Sequence, residues 1–143
     1  MRPRADDMQR EHLRTRIEQV LTRHRAQPFR WGCYDCATLI FDVVEAVTGR
    51  DVRPAGVRWA SARGALGALR KVRAQSLGVF LSRDFAVDDG GLPRLGDLAE
   101  ILAAPADPLS SPGVCVGSSI VFRTQVGWQV HPADLARRVW RID

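Results

Sequence analysis

The chain has 143 residues, 45% of them hydrophobic and 26% charged. That is the size of one ordinary domain, with enough apolar residues for a core, and it excludes a mainly disordered chain. The formal charge is +5, from 21 basic against 16 acidic residues, and Lys71 is the only lysine. Residues 7–26 read as a helix, with Met8, Leu13, Ile17, Val20 and Leu21 on one face and arginines and acids on the other. His12 and His24 are placed on its solvent side, and Pro28 closes it. Phe29 to Asp35 is a short aromatic loop whose side chains dock inward. A second, mostly buried helix is predicted over 36–48, with Cys36, Ile40, Val43, Val44 and Val47 on one face and Gly49 as its C-terminal cap.

Residues 50–60 read as a loop, and Ser61 caps a third helix predicted over 62–73. Residues 76–93 read as irregular, with a turn at Asp88-Asp89-Gly90-Gly91. The period then changes. Leu98 to Leu102 is a predicted strand, and residues 104–112 form a proline-bearing loop. A hairpin follows over Gly113 to Phe122, then a strand over Val126 to Val130. A short helical segment is predicted over Pro132 to Arg138, and a last strand over Val139 to Ile142. Helices first and an antiparallel sheet after them is the α+β pattern.

No apolar run approaches the roughly 18 residues of a membrane span. Met1 to Arg25 has no apolar core of the kind a secretory signal carries, so none is expected. Three cysteines, an odd number, argue against a disulfide framework and fit a reducing compartment. The N-terminal helix carries seven arginines against four acids up to Arg25, and no groove-reading motif follows it. The 20 arginines are spread along the chain, 7 before residue 26 and 13 after, which fits coding bias better than a nucleic-acid site. No direct nucleic-acid binding is expected. The basic helix is instead a candidate docking surface, and Trp128 or Trp140 are candidate anchors for a protein contact.

Asp35-Cys36 at the start of a buried helix is the sharpest chemical feature. A thiol there faces the positive end of the helix dipole and the open N–H groups of the first turn, which favour the thiolate. Cys33-Tyr34-Asp35-Cys36 is also a C-x-x-C pair, half of a zinc site or a redox dithiol. A Cys₃His site would need Cys33, Cys36, Cys115 and His131, but the second short spacing that marks such sites is missing. No metal and no cofactor is therefore expected.

Pro28-Phe29-x-Trp31-Gly32-x-x-Asp35-Cys36, followed by an apolar helix, resembles the nucleophile region of NlpC-type cell-wall cysteine peptidases, a branch of the papain-like fold. Gly96-Asp97-Leu98 resembles their Gly-Asp strand entry, and Gly113 to Gly117 the strand that follows their catalytic histidine. The arrangement is more similar still to a small tailed-phage and prophage protein family of unassigned function. The shared features are the Trp-Gly-x-x-Asp-Cys motif, Thr48 to Asp51, Arg63 to Leu66, the Gly-Val-Cys-Val-Gly strand, and an ending with Ala136, Trp140 and Arg141.

The resemblance implies one NlpC-like, papain-like α+β domain over 1–143. It would comprise a basic helix at 1–26, a nucleophile-type loop and helices over 27–75, and an antiparallel sheet over 94–143. It implies Cys36 as the candidate nucleophile, Asp35 as its motif neighbour and Trp31 as a groove wall. The position of the peptidase histidine falls on Ser111, next to Pro112, and neither acts as a general base. His131 is the one histidine in the right half of the chain to replace it. The expectation is a tail-tip or tail-assembly component of a virion, catalytically degenerate, working against hub or baseplate proteins. The alternative is an active cysteine peptidase cutting peptidoglycan stem peptides during genome delivery.

Overall fold

The computed structural model describes residues 5–101 and 111–142. Four helices come first: α1 (Ala5–Arg25), α2 (Cys36–Thr48), α3 (Ala62–Lys71) and the short α4 (Leu77–Leu81). Six strands follow: β1 (Ala86–Asp89), β2 (Leu98–Glu100), β3 (Gly113–Cys115), β4 (Ser119–Thr124), β5 (Gly127–Pro132) and β6 (Arg138–Arg141). A 3-10 turn at Ala133–Leu135 joins the last two. The strands form one sheet in the order β1-β6-β2-β3-β4-β5, each pair antiparallel. The fold is α+β, as the order of elements predicts.

The two-residue alternation of each strand divides the core into two faces. Register places Trp140 opposite Leu98, Leu98 opposite Val114, and Val114 opposite Val121. These four side chains belong to the main core with Ile17 and Leu21 of α1 and Ile40 and Val44 of α2. Full burial of such a side chain is worth about 1.5–3 kcal/mol. Their neighbours Ala99, Cys115, Ile120 and Val139 point the other way and pack with Ala133 in a smaller cluster. Cys115 is thus a core residue of the far face.

α2 holds as a helix through Val43 and Val44 because burial outweighs their β-branched preference. Asp35 and Thr38 close a capping box at its start, and Gly49, at φ 75°, ends it with its N–H on Glu45 O. Ser61 caps α3 by accepting from the Gly64 N–H at 3.0 Å.

Four expectations need correction. Residues 76–93 are not irregular: Ser76 caps α4 through the Val79 N–H, and β1 pairs with β6. β1 was hidden because all four of its residues are exposed, so it has no apolar alternation. It is held by backbone pairing and by ion pairs Asp88–Arg141 and Asp89–Arg138. α3 stops at Lys71, with Val72 as its cap. His24 is not on the solvent side of α1 but fully buried, three residues beyond Leu21 on the core-facing side. Trp140 is buried as well, donating from Nε1 to Ser82 Oγ at 3.1 Å, which removes it as a surface anchor. Trp128 is half-buried beneath the Arg123 guanidinium, 4.7 Å from its ring centre. Of the proline-bearing loop, residues 104–110 lie outside the described residues.

Candidate functional site

Asp35 organises the site. It is fully buried, and its carboxylate accepts three hydrogen bonds. Oδ1 takes the Thr38 N–H at 2.8 Å; Oδ2 takes the Gly32 N–H at 2.7 Å and the Trp59 indole N–H at 2.6 Å. Its own N–H donates to Thr38 Oγ1 at 2.9 Å. One side chain therefore caps α2, fixes the loop before it and anchors Trp59 from the 50–60 loop. Gly32 is required at this crossing. Its φ is 79°, and a Cβ there would stand 1.9 Å from the Trp59 carbonyl oxygen.

The product of this packing is a small cleft, of about 60 Å³, at the first turn of α2. Trp31, Trp59, Phe80, Leu69 and Ala65 line it together with Cys36 and Ser111. Trp31 is steadied by an edge-on contact with Phe29 at 5.0 Å. The Ser111 hydroxyl has two carbonyl acceptors within reach of its one proton, those of Cys36 at 3.4 Å and Pro112 at 3.1 Å. Trp31, Asp35, Cys36 and Ser111 are thus brought together. His131 is not among the residues that line the cleft. It lies on β5, with Nε2 against Gln129 Oε1 at 3.2 Å and its ring edge-on to Phe122. His12 is exposed on α1.

The Cys36 thiol is pushed up to about 11. Burial is the largest cause, and the nearby Asp35 carboxylate adds to it. The backbone N–H groups of the first turn and the Ser111 hydroxyl pull the other way and are outweighed. This reverses the expectation of a favoured thiolate: the helix start is present, but it lies in an apolar cleft beside an anion. A raised thiol pKa adds stability that is complete below the unfolded value, near 9, and is lost as pH rises toward 11.

One prediction follows for reactivity. At pH 7 Cys36 is held as the neutral thiol, because burial pushes it up to about 11. Iodoacetamide at that pH is expected to alkylate the exposed Cys33 first, with Cys36 accelerating steadily up to pH 10 and beyond. Peptide mass mapping of the labelled chain checks the order. Cys36 labelling first near neutral pH would contradict the environment described.

A second polar centre was missed by sequence reasoning. His24 Nε2 contacts Asp42 Oδ2 at 2.7 Å, and Asp42 also pairs with Arg23 and Arg53. Burial raises the Asp42 carboxyl, but the His24 bond and the Arg53 charge more than offset it and hold it below its ordinary value. Arg53 reaches Glu45 and Asp51 too, so it ties the 50–60 loop to α2. This centre holds the base of the loop whose other end supplies Trp59. The signal for His24 was its spacing: Ile17, Leu21 and His24 recur at four and three residues.

Among the described residues, no group of three His, Cys, Asp or Glu side chains is arranged to hold a metal ion. No helix among them is long and apolar enough to cross a membrane.

The arrangement defines an α+β domain with a thiol at a helix start, set in the lining of an aromatic cleft. Residues 8–142 match the family model described as a domain of unknown function, DUF6950, and the chain belongs to that family. No curated protein and no solved structure matches the chain.

Proposed function

We propose that this chain is a tail-tip or tail-assembly component of a phage or prophage, built on an NlpC-like variant of the papain-like fold that has lost its catalysis. The observation that carries the loss is the pairing of Cys36 with Ser111 in the cleft lining. Ser111, not a histidine, stands beside Cys36, whose thiol stays protonated at neutral pH. Acyl transfer needs a base to take the thiol proton and an acid to protonate the leaving amine. A serine hydroxyl does neither. The helix-start cysteine, the Gly96-Asp97 turn before β2 and the β3 strand behind Ser111 support the NlpC-like reading, and the order of motifs over 28–142 supports the tail assignment. The partners of such a component are hub or baseplate proteins, and its location is the virion tail.

The second reading, an active peptidoglycan peptidase, is favoured by the position of Cys36 in the first turn of α2 at a cleft wall. Cys36→Ala separates the two. In a phage carrying this substitution, particles are expected to assemble and to form plaques as the parent does. The purified chain is expected to release no stem peptides from peptidoglycan. Normal assembly with lost plaque formation, together with Cys36-dependent release of peptides, would overturn the degenerate reading.

A further inference from the structure

The sheet has an open edge at each end of its strand order, β1 on one side and β5 on the other. The two are not equally guarded. β1 carries Asp88 and Asp89, charges of the kind that blunt an edge. β5 reads Gly-Trp-Gln-Val-His-Pro, with no Asp, Glu, Lys or Arg. Its pairing shows which backbone groups are open. The Ala133 N–H donates to Ser118 O at 2.9 Å. Hydrogen-bonded pairs alternate with open pairs along an antiparallel ladder. Counting back from that bond, the backbone groups of His131, Gln129 and Gly127 turn toward β4. Those of Trp128 and Val130 point outward, where no strand among the described residues receives them. Pro132 follows with no N–H, so the open stretch is short and is centred on Gln129. The side chains at this edge are open too. Val130 stands opposite Val121, a residue of the main core, yet it is 61% exposed, so the helices leave this corner of the sheet uncovered. Trp128 shares that face and is half-buried.

We infer that β5 is a self-association edge, which pairs antiparallel with β5 of a second copy of this chain about a twofold axis at Gln129. The occupant is a second copy because the edge is complementary to itself. In this register Trp128 faces Val130 of the second copy, and Val130 faces its Trp128. Each of these pairs exchanges both N–H···O bonds, so the open groups of Trp128 and Val130 are all satisfied. The exposed Val130 is covered by an indole, an aromatic and β-branched pair of the kind that stabilises antiparallel sheets. Arg25 and Arg123 lie against the face of the Trp128 ring, 5.7 and 4.7 Å from its centre, and fix it before the second copy arrives. No acid or arginine of β5 meets its own copy across the seam. The axis runs perpendicular to the sheet, so both sets of helices stay on one face. The joined sheet ends in β1 on both sides, and the contact closes as a dimer instead of growing into a fibre. The inference is independent of the role of the cleft.

The test is sedimentation equilibrium of the full chain over a range of concentrations. One strand pair is a small contact, so the mass is expected to move from 15.9 kDa toward twice that value over about 10–100 μM. Val130→Pro removes an outward N–H and leaves the β4 ladder intact, so it is expected to fold and to weaken dimerisation about tenfold or more. Val130→Lys keeps the backbone and places two ammonium groups at the seam, with the same expected result. Val87→Lys, on the β1 edge, is expected to leave the mass curve unchanged. Cross-linking reads the register in a Cys33→Ser background. Gln129→Cys is expected to form a disulfide between copies under copper–phenanthroline, because residues facing each other in an open pair stand about 4.5 Å apart at Cα. His131→Cys lies two positions further from the axis on the same face and is expected to stay uncross-linked. A chain that stays monomeric up to about 1 mM would overturn the proposal and leave the edge to a strand of another protein. A folded Val130→Pro or Val130→Lys that dimerises as the parent does, or cross-linking of His131→Cys ahead of Gln129→Cys, would overturn it as well. If Val130→Pro does not fold, Val130→Lys and the two cysteine variants decide.

Discussion

Asp35→Ala is expected to destabilise the chain by about 3–5 kcal/mol, among the largest losses a single side chain here can cause. Three donors lose their acceptor at once: the N–H groups of Gly32 and Thr38 and the Trp59 indole. A buried donor left unsatisfied costs about 1–3 kcal/mol, and loss of a helix N-cap costs about 0.5–2 kcal/mol. The two overlap at Thr38, so the total falls short of the sum. Urea unfolding followed by tryptophan fluorescence measures the loss. Asp35→Asn gives a separate readout. It keeps the shape but removes the charge that helps hold the Cys36 proton, so alkylation of Cys36 is expected to begin at lower pH. A variant with unchanged stability would show that the Asp35 bonds carry no weight in solution.

Gly32→Ala is expected to cost about 3 kcal/mol or more, for a steric reason. The new Cβ falls on the Trp59 carbonyl oxygen, a backbone atom, at a φ that residues with side chains rarely adopt. Relief requires the 50–60 loop to lift, which draws the Trp59 indole away from Asp35. Both substitutions therefore act on the same joint, and the double variant is expected to lose less than the two single losses combined. Thermal unfolding of the four proteins in the cycle tests this, and strict additivity would place the two effects in separate parts of the molecule.

These two residues show what the sequence reveals and what it hides. Trp31-Gly32-x-x-Asp35-Cys36 stands out in the chain, and the start of α2 is legible to the residue, because caps and first turns are local. The role of Asp35 is not legible. It depends on Trp59, 24 residues away, whose indole has no local signature. The same holds for Cys36. Helix-start electrostatics are written in adjacent residues, but the desolvation that overrides them comes from a wall built by α3, α4 and Ser111. His24 carried the right period for the core and was misread by residue type, since its partner Asp42 lies on another helix. β1 carried no period at all. The hairpin of β3 and β4 was legible because both faces of those strands are packed and their turn is glycine-marked.

The position of β6 has a consequence for how the molecule comes to exist. It is the last strand in chain order, yet it lies between β1 and β2, and it is the strand that β1 pairs with. During synthesis, helices α1 and α2 and the run from β2 to β5 leave the ribosome with local partners available, whereas β1 waits some fifty residues for Arg138 to Arg141. Until then the Leu98 edge is bare and the place of Trp140 in the core is empty. The nascent chain is thus a half-sheet with an open apolar seam until β6 is made, and that strand is the key that closes it.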